Sequence, residues 1–522
     1  MTDLTRDSPE VRRNVAVSAV TQGGAKVLHL VLNVVSTLVI IRYLSPYSYG
    51  DYVLVLTASM LMGLIADFGL SKLATREVSR DLSSEDEVLG TVLLARFCLA
   101  VLCIALLQLV LFGLGVSATL HAAGLVASLF YFGNALMVSA VAFYVRIKQQ
   151  YEAIIQVGME AFETTFIIVL VARHASLPWL FVPPTTAAIL GGFVAVVLVR
   201  RRFRVRFRVA FARLPYLLKE ALPLGPALLI SVCYLKLDAL MLAILRTPRE
   251  LGLYGSAYQP IEYTFLAAAV VVNVVFPLVA ASYAAGDYER FSHLYRRGAE
   301  ILVTVMLIVP ILLSLIAVPL VDRVYGSAYR DAAGPLQLLA VALVLMTLNG
   351  WQAFVLLGGG QQKVTLFYNL GALVVAAVAC TILISAYGMI GAALATLCTA
   401  VFVLVCSTVA VRRYFKVHLA LMTMARILAA AATLWGALWL LQRLGTPWLM
   451  LIPAALVAYP VSLLAFGVVR PSNVRSWRNP VAEVHEAADM VLDQGGSTDE
   501  TSELLEPLLV ESYSKTMLGT EI

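Results

Sequence analysis

Along the chain, apolar windows of twenty residues and more alternate with short polar or Pro/Gly-containing breaks. They fall at 14–41, 52–73, 88–115, 119–145, 150–172, 177–199, 217–245, 251–284, 299–321, 332–357, 364–386, 388–411, 419–441 and 446–469. A helix needs roughly 20 apolar residues to cross about 30 Å of hydrocarbon, so each window predicts one membrane span. Stretches such as Leu99 to Val110 and Leu302 to Val318 are apolar on every side. The alternating ten-residue segments of a membrane β-barrel are therefore excluded, and the pattern predicts an all-α polytopic membrane protein. The first window exceeds 25 residues, too long for the apolar region of a cleaved signal, and is expected to be a retained helix.

Composition agrees. The 522 residues are 61% apolar and 13% charged, with a mean hydropathy of +0.87. Soluble domains average about 45–50% and about 25%. The net charge of +6 would suggest nucleic acid in a soluble protein, but here the basic residues lie between apolar segments, so no nucleic-acid partner is expected. Cys98, Cys103, Cys233, Cys380, Cys398 and Cys406 all sit inside apolar runs without metal-ligand spacing, and neither a disulfide nor a metal site is implied.

Charge also sets the expected topology. With the N-terminus inside, the loops and ends on that side, with Lys72 and Lys219 at the adjoining span edges, carry 26 Lys and Arg against 7 outside. Both termini are then cytoplasmic, the N-terminal one being 1–13 and the C-terminal one an acidic tail at 470–522. Outer loops hold Tyr43, Pro46, Tyr47 and Trp179, which suits an interfacial aromatic belt.

One internal match stands out. Pro46, Gly50 and Tyr52 follow the first span as P-x-x-x-G-x-Y, and Pro248, Gly252 and Tyr254 follow the seventh in the same way, 202 residues later. Six intervening spans make the repeat parallel, with an N-lobe at 14–199 and a C-lobe at 217–411. The basic stretch 200–216 links them, and 419–469 adds two further spans. Such repeats enclose a cavity that opens alternately to the two sides, here bounded by spans 1, 2, 7 and 8.

An ionisable side chain inside a span costs about 2.5–3.5 kcal/mol, so each one asks for a partner or a wet cavity. In the first span Lys26, His29, Asn33, Ser36 and Thr37 share one helical face, a candidate cavity lining. Asn33, Ser36 and Thr37 serve equally well as interhelical packing, and Lys26 could snorkel to the inner surface. In the seventh span Asp238 falls at the repeat position of Ser36, while Lys236, two residues away, points elsewhere and cannot pair with it in a regular helix. Glu152, Gln156, Glu160 and Glu163 form a stripe in the fifth span, and Arg96 in the third is the expected structural partner of Glu160 or Glu163. Asp67 and Glu262 are candidates for ion coupling or, more plainly, helix-end caps. No P-loop, H-E-x-x-H or G-x-S-x-G is present, so neither a catalytic residue nor a cofactor is expected, and the chain does not read as an enzyme.

At this point the chain resembles a family, the Wzx-type oligosaccharide flippases of the multidrug/oligosaccharidyl-lipid/polysaccharide (MOP) exporter superfamily. The resemblance rests on Arg42-Tyr43-Leu44-Ser45-Pro46 through Tyr49-Gly50-Asp51-Tyr52 to Asp67-Phe68-Gly69-Leu70 and Arg76-Glu77. It continues through Lys236-Leu237-Asp238, Gly252-Leu253-Tyr254, Phe276-Pro277 and Gly286-Asp287 to Val324-Tyr325-Gly326 and the run Tyr387-Gly388-Met389-Ile390-Gly391. It implies two six-helix lobes of the MATE type in the cell membrane, moving a polyprenyl-pyrophosphate-linked oligosaccharide to the outer leaflet for surface polysaccharide synthesis. Lipids, glycosyltransferases and a glycan polymerase are the partners it suggests. A pyrophosphate crossing hydrocarbon needs cations in a low-dielectric setting, which points to Lys26 and Lys236 first and His29 and Asp238 second. The chain departs from the family's usual twelve helices by two spans; fourteen resembles the murein-precursor flippases in number only, which leaves lipid II open as an alternative cargo. The competing readings are a cation-coupled small-molecule or multidrug exporter, and a non-transporting scaffold or glycan polymerase. A polymerase would need a large outer loop, which this chain lacks.

Overall fold

The computed structural model describes residues 9–468 apart from 147 and 223; the acidic tail lies outside the described residues. Among the described residues the secondary structure is helical, and it divides into two compact units, one running through Lys236 and one starting at Leu237. The division falls inside a helix, downstream of the basic linker at which the sequence suggested it.

The first unit comprises α1 (Pro9–Tyr43), α2 (Pro46–Asp67), α3 (Leu70–Arg80), α4 (Glu85–Gly113), α5 (Ala118–Ser128), α6 (Phe130–Leu136), α7 (Val141–Val145), α8 (Gln150–Ala172), α9 (Val182–Phe203) and α10 (Leu214–Ala221). It ends in the first half of α11 (Leu224–Leu245). Two predicted spans are broken. The second does not run to residue 73: α2 stops at Asp67, and Phe68 and Gly69 take positive φ values of 47° and 77° before α3 begins. The Phe68 N–H still reaches Leu64 O, a left-handed C-cap that satisfies one of the carbonyls a helix end leaves open. The fourth span is divided into α5, α6 and α7 with a 3-10 turn at Met137–Ala140. Gly133 of α6 lies against the α9 backbone, where a Cβ would come within 2.4 Å of Ala188. Small residues of this kind let helices approach closely in a medium where burial of apolar surface gives no net drive. The main apolar core joins α3, α4, α7, α9 and α10 through Leu70, Leu73, Val92, Phe143, Val199 and Leu217. That packing explains why the linker and α10 belong to the first unit.

The second unit comprises the rest of α11, α12 (Pro248–Ala284), α13 (Tyr288–Val324), α14 (Ala333–Gly358), α15 (Gln362–Phe415), α16 (Leu421–Arg443) and α17 (Trp448–Ala465). Its interior holds Trp351 and Gln352 of α14, both essentially unexposed. Gln352 Nε2 donates to Tyr295 Oη at 3.2 Å and to Thr408 Oγ1 at 3.0 Å, and Ser407 donates to its carbonyl. The two extra helices are integral here: Trp435 of α16 donates to Ser314 of α13 at 3.0 Å, and Tyr459 of α17 donates to Thr304 O at 2.7 Å.

Eleven helical segments among the described residues are long and apolar enough to cross a membrane, making this a multi-pass membrane protein. One of them, the 54-residue α15, contains the eleventh and twelfth windows joined at Gly388; α11 and α12 cover the seventh and eighth and include side chains outside the description. The repeated P-x-x-x-G-x-Y becomes the same local device in each unit. Ser45 caps α2 and Thr247 caps α12, each accepting from the N–H three residues on, with Pro46 and Pro248 in the first turn. A proline there costs nothing, because the first helical N–H groups have no intrahelical partner.

Candidate functional site

The first unit brings one set of intramembrane charges together along the α1–α8 contact. Residues three and four apart share a helical face, so Lys26, His29, Ser36 and Thr37 form a stripe on α1 and Glu160, Glu163 and Thr164 one on α8. His29 Nδ1 lies 3.1 Å from a Glu160 carboxylate oxygen, and Ser36 Oγ lies 2.8 Å from Thr164 Oγ1. Lys26, a turn before His29, is half-buried and makes neither a hydrogen bond nor an ion pair among the described residues. Asn33, half-buried between His29 and Ser36 in sequence, also has an interaction partner.

Arg96 is placed differently from the expectation. It bonds neither Glu160 nor Glu163; its Nη2 is 3.2 Å from Asp67 Oδ1 and its Nη1 donates to Ser71 Oγ at 2.9 Å. Ser71 in turn donates to Asp67 at 2.5 Å, and the Gly69 N–H donates to the other Asp67 oxygen at 3.2 Å. The reason is the break after α2. Once the chain turns at Phe68–Gly69, Asp67 and Ser71 close on each other and face α4, whereas Glu160 is engaged by His29. Asp67, from sequence a candidate for ion coupling or a helix-end cap, thus closes α2 and pins the α2–α3 joint to α4. Glu163, one turn from Glu160 on α8, makes neither a hydrogen bond nor an ion pair among the described residues.

In the second unit Asp238 is 6% exposed. Its Oδ2 accepts from Tyr254 Oη at 2.5 Å and from Thr396 Oγ1 at 2.7 Å, and its Oδ1 accepts from the Ala239 N–H at 2.7 Å. It therefore joins α11, α12 and α15. Sequence reading found Asp238 and the Tyr254 motif but not their bond, and missed Thr396, since hydroxyls in apolar helices carry little signal. Lys236, on the preceding stretch of α11, and Glu262, on α12, are half-buried, and each has an interaction partner.

A second unforeseen cluster fixes the reversal inside α15. Gly388 has φ 59° and ψ −133°, a conformation essentially restricted to glycine. Glu250 accepts from the Met389 N–H at 3.0 Å, and Arg246 donates to Ile384 O at 3.0 Å and Ser385 O at 2.6 Å. The open carbonyls and N–H of the two limbs are thus satisfied by charged side chains from the α11–α12 junction.

The sequence profile of the family described as "Polysaccharide biosynthesis protein" matches residues 11–282, just over half of the chain. The chain belongs to this family. Among solved structures, the fold is similar to that of the lipid II flippase MurJ in an inward closed conformation, with a TM-score of 0.71 at 13% identity, covering 86% of this chain and 98% of that one. An inward-facing multidrug resistance MATE family transporter of the MOP superfamily matches with a TM-score of 0.58 at 16% identity, covering 74% of this chain and 94% of that one. A MOP superfamily transporter from Pyrococcus furiosus matches with a TM-score of 0.55 at 13% identity, covering 77% and 95%. No curated protein matches the sequence. The fold is similar to that of these proteins, and the all-α, multi-pass membrane class is the one expected from sequence.

Proposed function

We propose that this polysaccharide biosynthesis protein is a flippase that moves polyprenyl-pyrophosphate-linked oligosaccharides from the cytoplasmic to the outer leaflet by alternating access. The observation that carries the reading is the extent of the likeness to the lipid II flippase, which spans 98% of that chain and 86% of this one, where the MATE transporter and the Pyrococcus furiosus MOP superfamily transporter span 74% and 77% of this one. The proposal places both termini in the cytoplasm, on the side of the 26 basic residues. Neither covalent catalysis nor a cofactor is part of it, and glycosyltransferases and a polymerase act before and after transport.

Lys26 is the proposed pyrophosphate contact in the first unit, because a half-buried ammonium without an ion pair among the described residues is available to an anionic cargo. Lys236 is proposed as the second contact. His29 is proposed to orient beside Lys26 through Glu160, and Asn33 to line the same face. The stabilising partners of Asp238 support a role in shaping the second unit, with Glu262 kept as the candidate for ion coupling. Export of a small cation is the second reading, favoured by the MATE fold and opposed by the cationic Lys26.

The test is complementation. In cells lacking the native gene, Lys26→Ala and Lys236→Ala at normal protein level are expected to lower surface glycan at least about tenfold each, one charge-assisted contact being worth about 1.5–3 kcal/mol. Undiminished glycan would remove these lysines from the mechanism, and drug export without any glycan phenotype would favour the second reading.

A further inference from the structure

The most strongly charged surface of the first unit is the segment that follows α9, and its construction is specific. Arg204 closes α9 with a left-handed φ of 60°, and from there to Arg208 the chain has no regular secondary structure, with Val205 buried, Phe207 half-buried and Arg204, Arg206 and Arg208 exposed. Alternation is what a strap lying on a surface produces, one side chain in and the next out. The strap is bonded to the first turns of α4: the Arg206 N–H donates to Asp86 Oδ1 at 2.8 Å, the Arg208 N–H to Asp86 O at 2.9 Å and the Ala210 N–H to Thr91 Oγ1 at 2.9 Å. The fit is tight enough that a Cβ on Gly90 would lie 2.3 Å from Arg208 O.

The acids at this end are already committed. Glu85 is bound by Arg146 at 2.6 Å, Asp86 by the strap backbone and Glu87 by Arg213 at 2.9 Å. The guanidinium groups of Arg200, Arg201, Arg202, Arg204, Arg206 and Arg208 make neither an ion pair nor a hydrogen bond among the described residues. Six like charges held together without counter-charges are costly unless an anionic environment meets them.

Their depth identifies that environment. Leu190, Phe193 and Val194 form an exposed apolar stripe on α9, with Phe193 60% exposed, the composition that a lipid-facing stripe requires. Arg200 and Arg201 lie seven residues beyond Phe193 and Val194, on the same face and two turns (about 10 Å) further along. Beyond the strap's arginines, Val209 and Phe211 are exposed as well, Phe211 to 70%. Basic groups beside exposed apolar ones, at the end of an apolar stripe, match the boundary between headgroups and acyl chains, which takes up both. An acidic peptide in water would neutralise the arginines and leave Phe211 in solvent.

We infer that the α9 end and the Arg204–Arg208 strap form a docking surface for anionic phospholipid headgroups, seating the first unit on its leaflet. The surface is distinct from the proposed cargo contacts, and its test needs no transport. The full chain in a neutral detergent is titrated with phosphatidylglycerol or phosphatidylcholine, and retained lipid is counted by native mass spectrometry. The unaltered protein is expected to retain phosphatidylglycerol in preference, less so at high salt. Each basic residue near an anionic surface is worth about fivefold in binding, so Arg204→Gln/Arg206→Gln/Arg208→Gln is expected to weaken phosphatidylglycerol retention about a hundredfold, with phosphatidylcholine retention and melting midpoint unchanged. Should that variant fail to fold, Arg200→Gln/Arg201→Gln on the exposed face of α9 is expected to show about a 25-fold loss. Equal retention by variant and unaltered protein would overturn the inference. So would phosphatidylglycerol binding that emerges only when 470–522 is removed, since the acidic tail would then be the occupant.

Discussion

The Asp67–Arg96 pair makes an asymmetric prediction. Arg96 has a side chain 8% exposed, with Asp67 and Ser71 as partners and its Nε buried without one. Asp67 is 24% exposed and also accepts from Ser71 and from the Gly69 N–H. Asp67→Asn leaves a buried guanidinium with neutral acceptors only, and removing one partner of a buried pair costs about 3–5 kcal/mol; the partial exposure of Asp67 sets the expectation at about 3 kcal/mol. Arg96→Met leaves a carboxylate that keeps a hydroxyl, a backbone N–H and some water, a loss of about 1 kcal/mol. Asp67→Asn/Arg96→Met buries no lone charge and is expected to cost about 1 kcal/mol, giving a coupling of about 3 kcal/mol. The assay is heating of detergent-solubilised protein followed by size-exclusion of the surviving monomer. Unfolding of such proteins is irreversible, so the ranking of midpoints is the readout. The expected order is Asp67→Asn lowest, with Arg96→Met and the double variant together above it. If Arg96→Met is the more damaging, or if the two costs add, the geometry is refuted. If Glu160→Gln rather than Asp67→Asn is rescued by Arg96→Met, the pairing suggested by sequence is restored.

Three further outcomes follow from the same structure. Gly388→Ala is expected to lower the melting midpoint, because φ 59° with ψ −133° strains any other residue by about 1–3 kcal/mol and the new Cβ would meet a Glu250 carboxylate oxygen at 2.1 Å; an unchanged midpoint would show that the reversal lies elsewhere. Tyr254→Phe removes a hydroxyl that donates to buried Asp238 at 2.5 Å and should cost about 1–3 kcal/mol, with Thr396→Val similar; neutral behaviour of both would mean that Asp238 does not depend on these donors. At the exposed turn before α4, the Ser83 hydroxyl and N–H donate to Asp81 and hold its carboxyl below the usual carboxylate range. A depressed folded-state value contributes stability above the unfolded-state pKa and loses it as pH falls through the folded one, so Ser83→Ala should flatten the acid limb below about pH 4 and leave neutral pH unaffected. An identical acid limb would contradict this.

Some of these features were legible one residue at a time. The Ser45–Pro46 and Thr247–Pro248 helix starts follow from local chemistry, since a hydroxyl and a fixed φ act within a single turn. The stripes on α1 and α8 follow from the helical period alone. The second window overruns the helix end although Asp67 itself reads as a helix-end cap, because Asp-Phe-Gly-Leu lies inside an apolar run and hydropathy averages over a turn that depends on single φ angles. Thr396 and Glu250 were missed because their partners lie 158 and 139 residues away.

Sequence by itself therefore determined the solvent, the helical class, the periodic faces and the repeated caps, because lipid forces every backbone N–H and C=O to be satisfied within its own segment and so makes the spans a local property. Only the tertiary structure decided that His29 meets Glu160, that Arg96 meets Asp67 and that Asp238 sits under Tyr254 and Thr396. A helical period says which side chains share a face, and in lipid, with little apolar drive to choose between neighbours, close packing and interhelical hydrogen bonds select the face that each one meets.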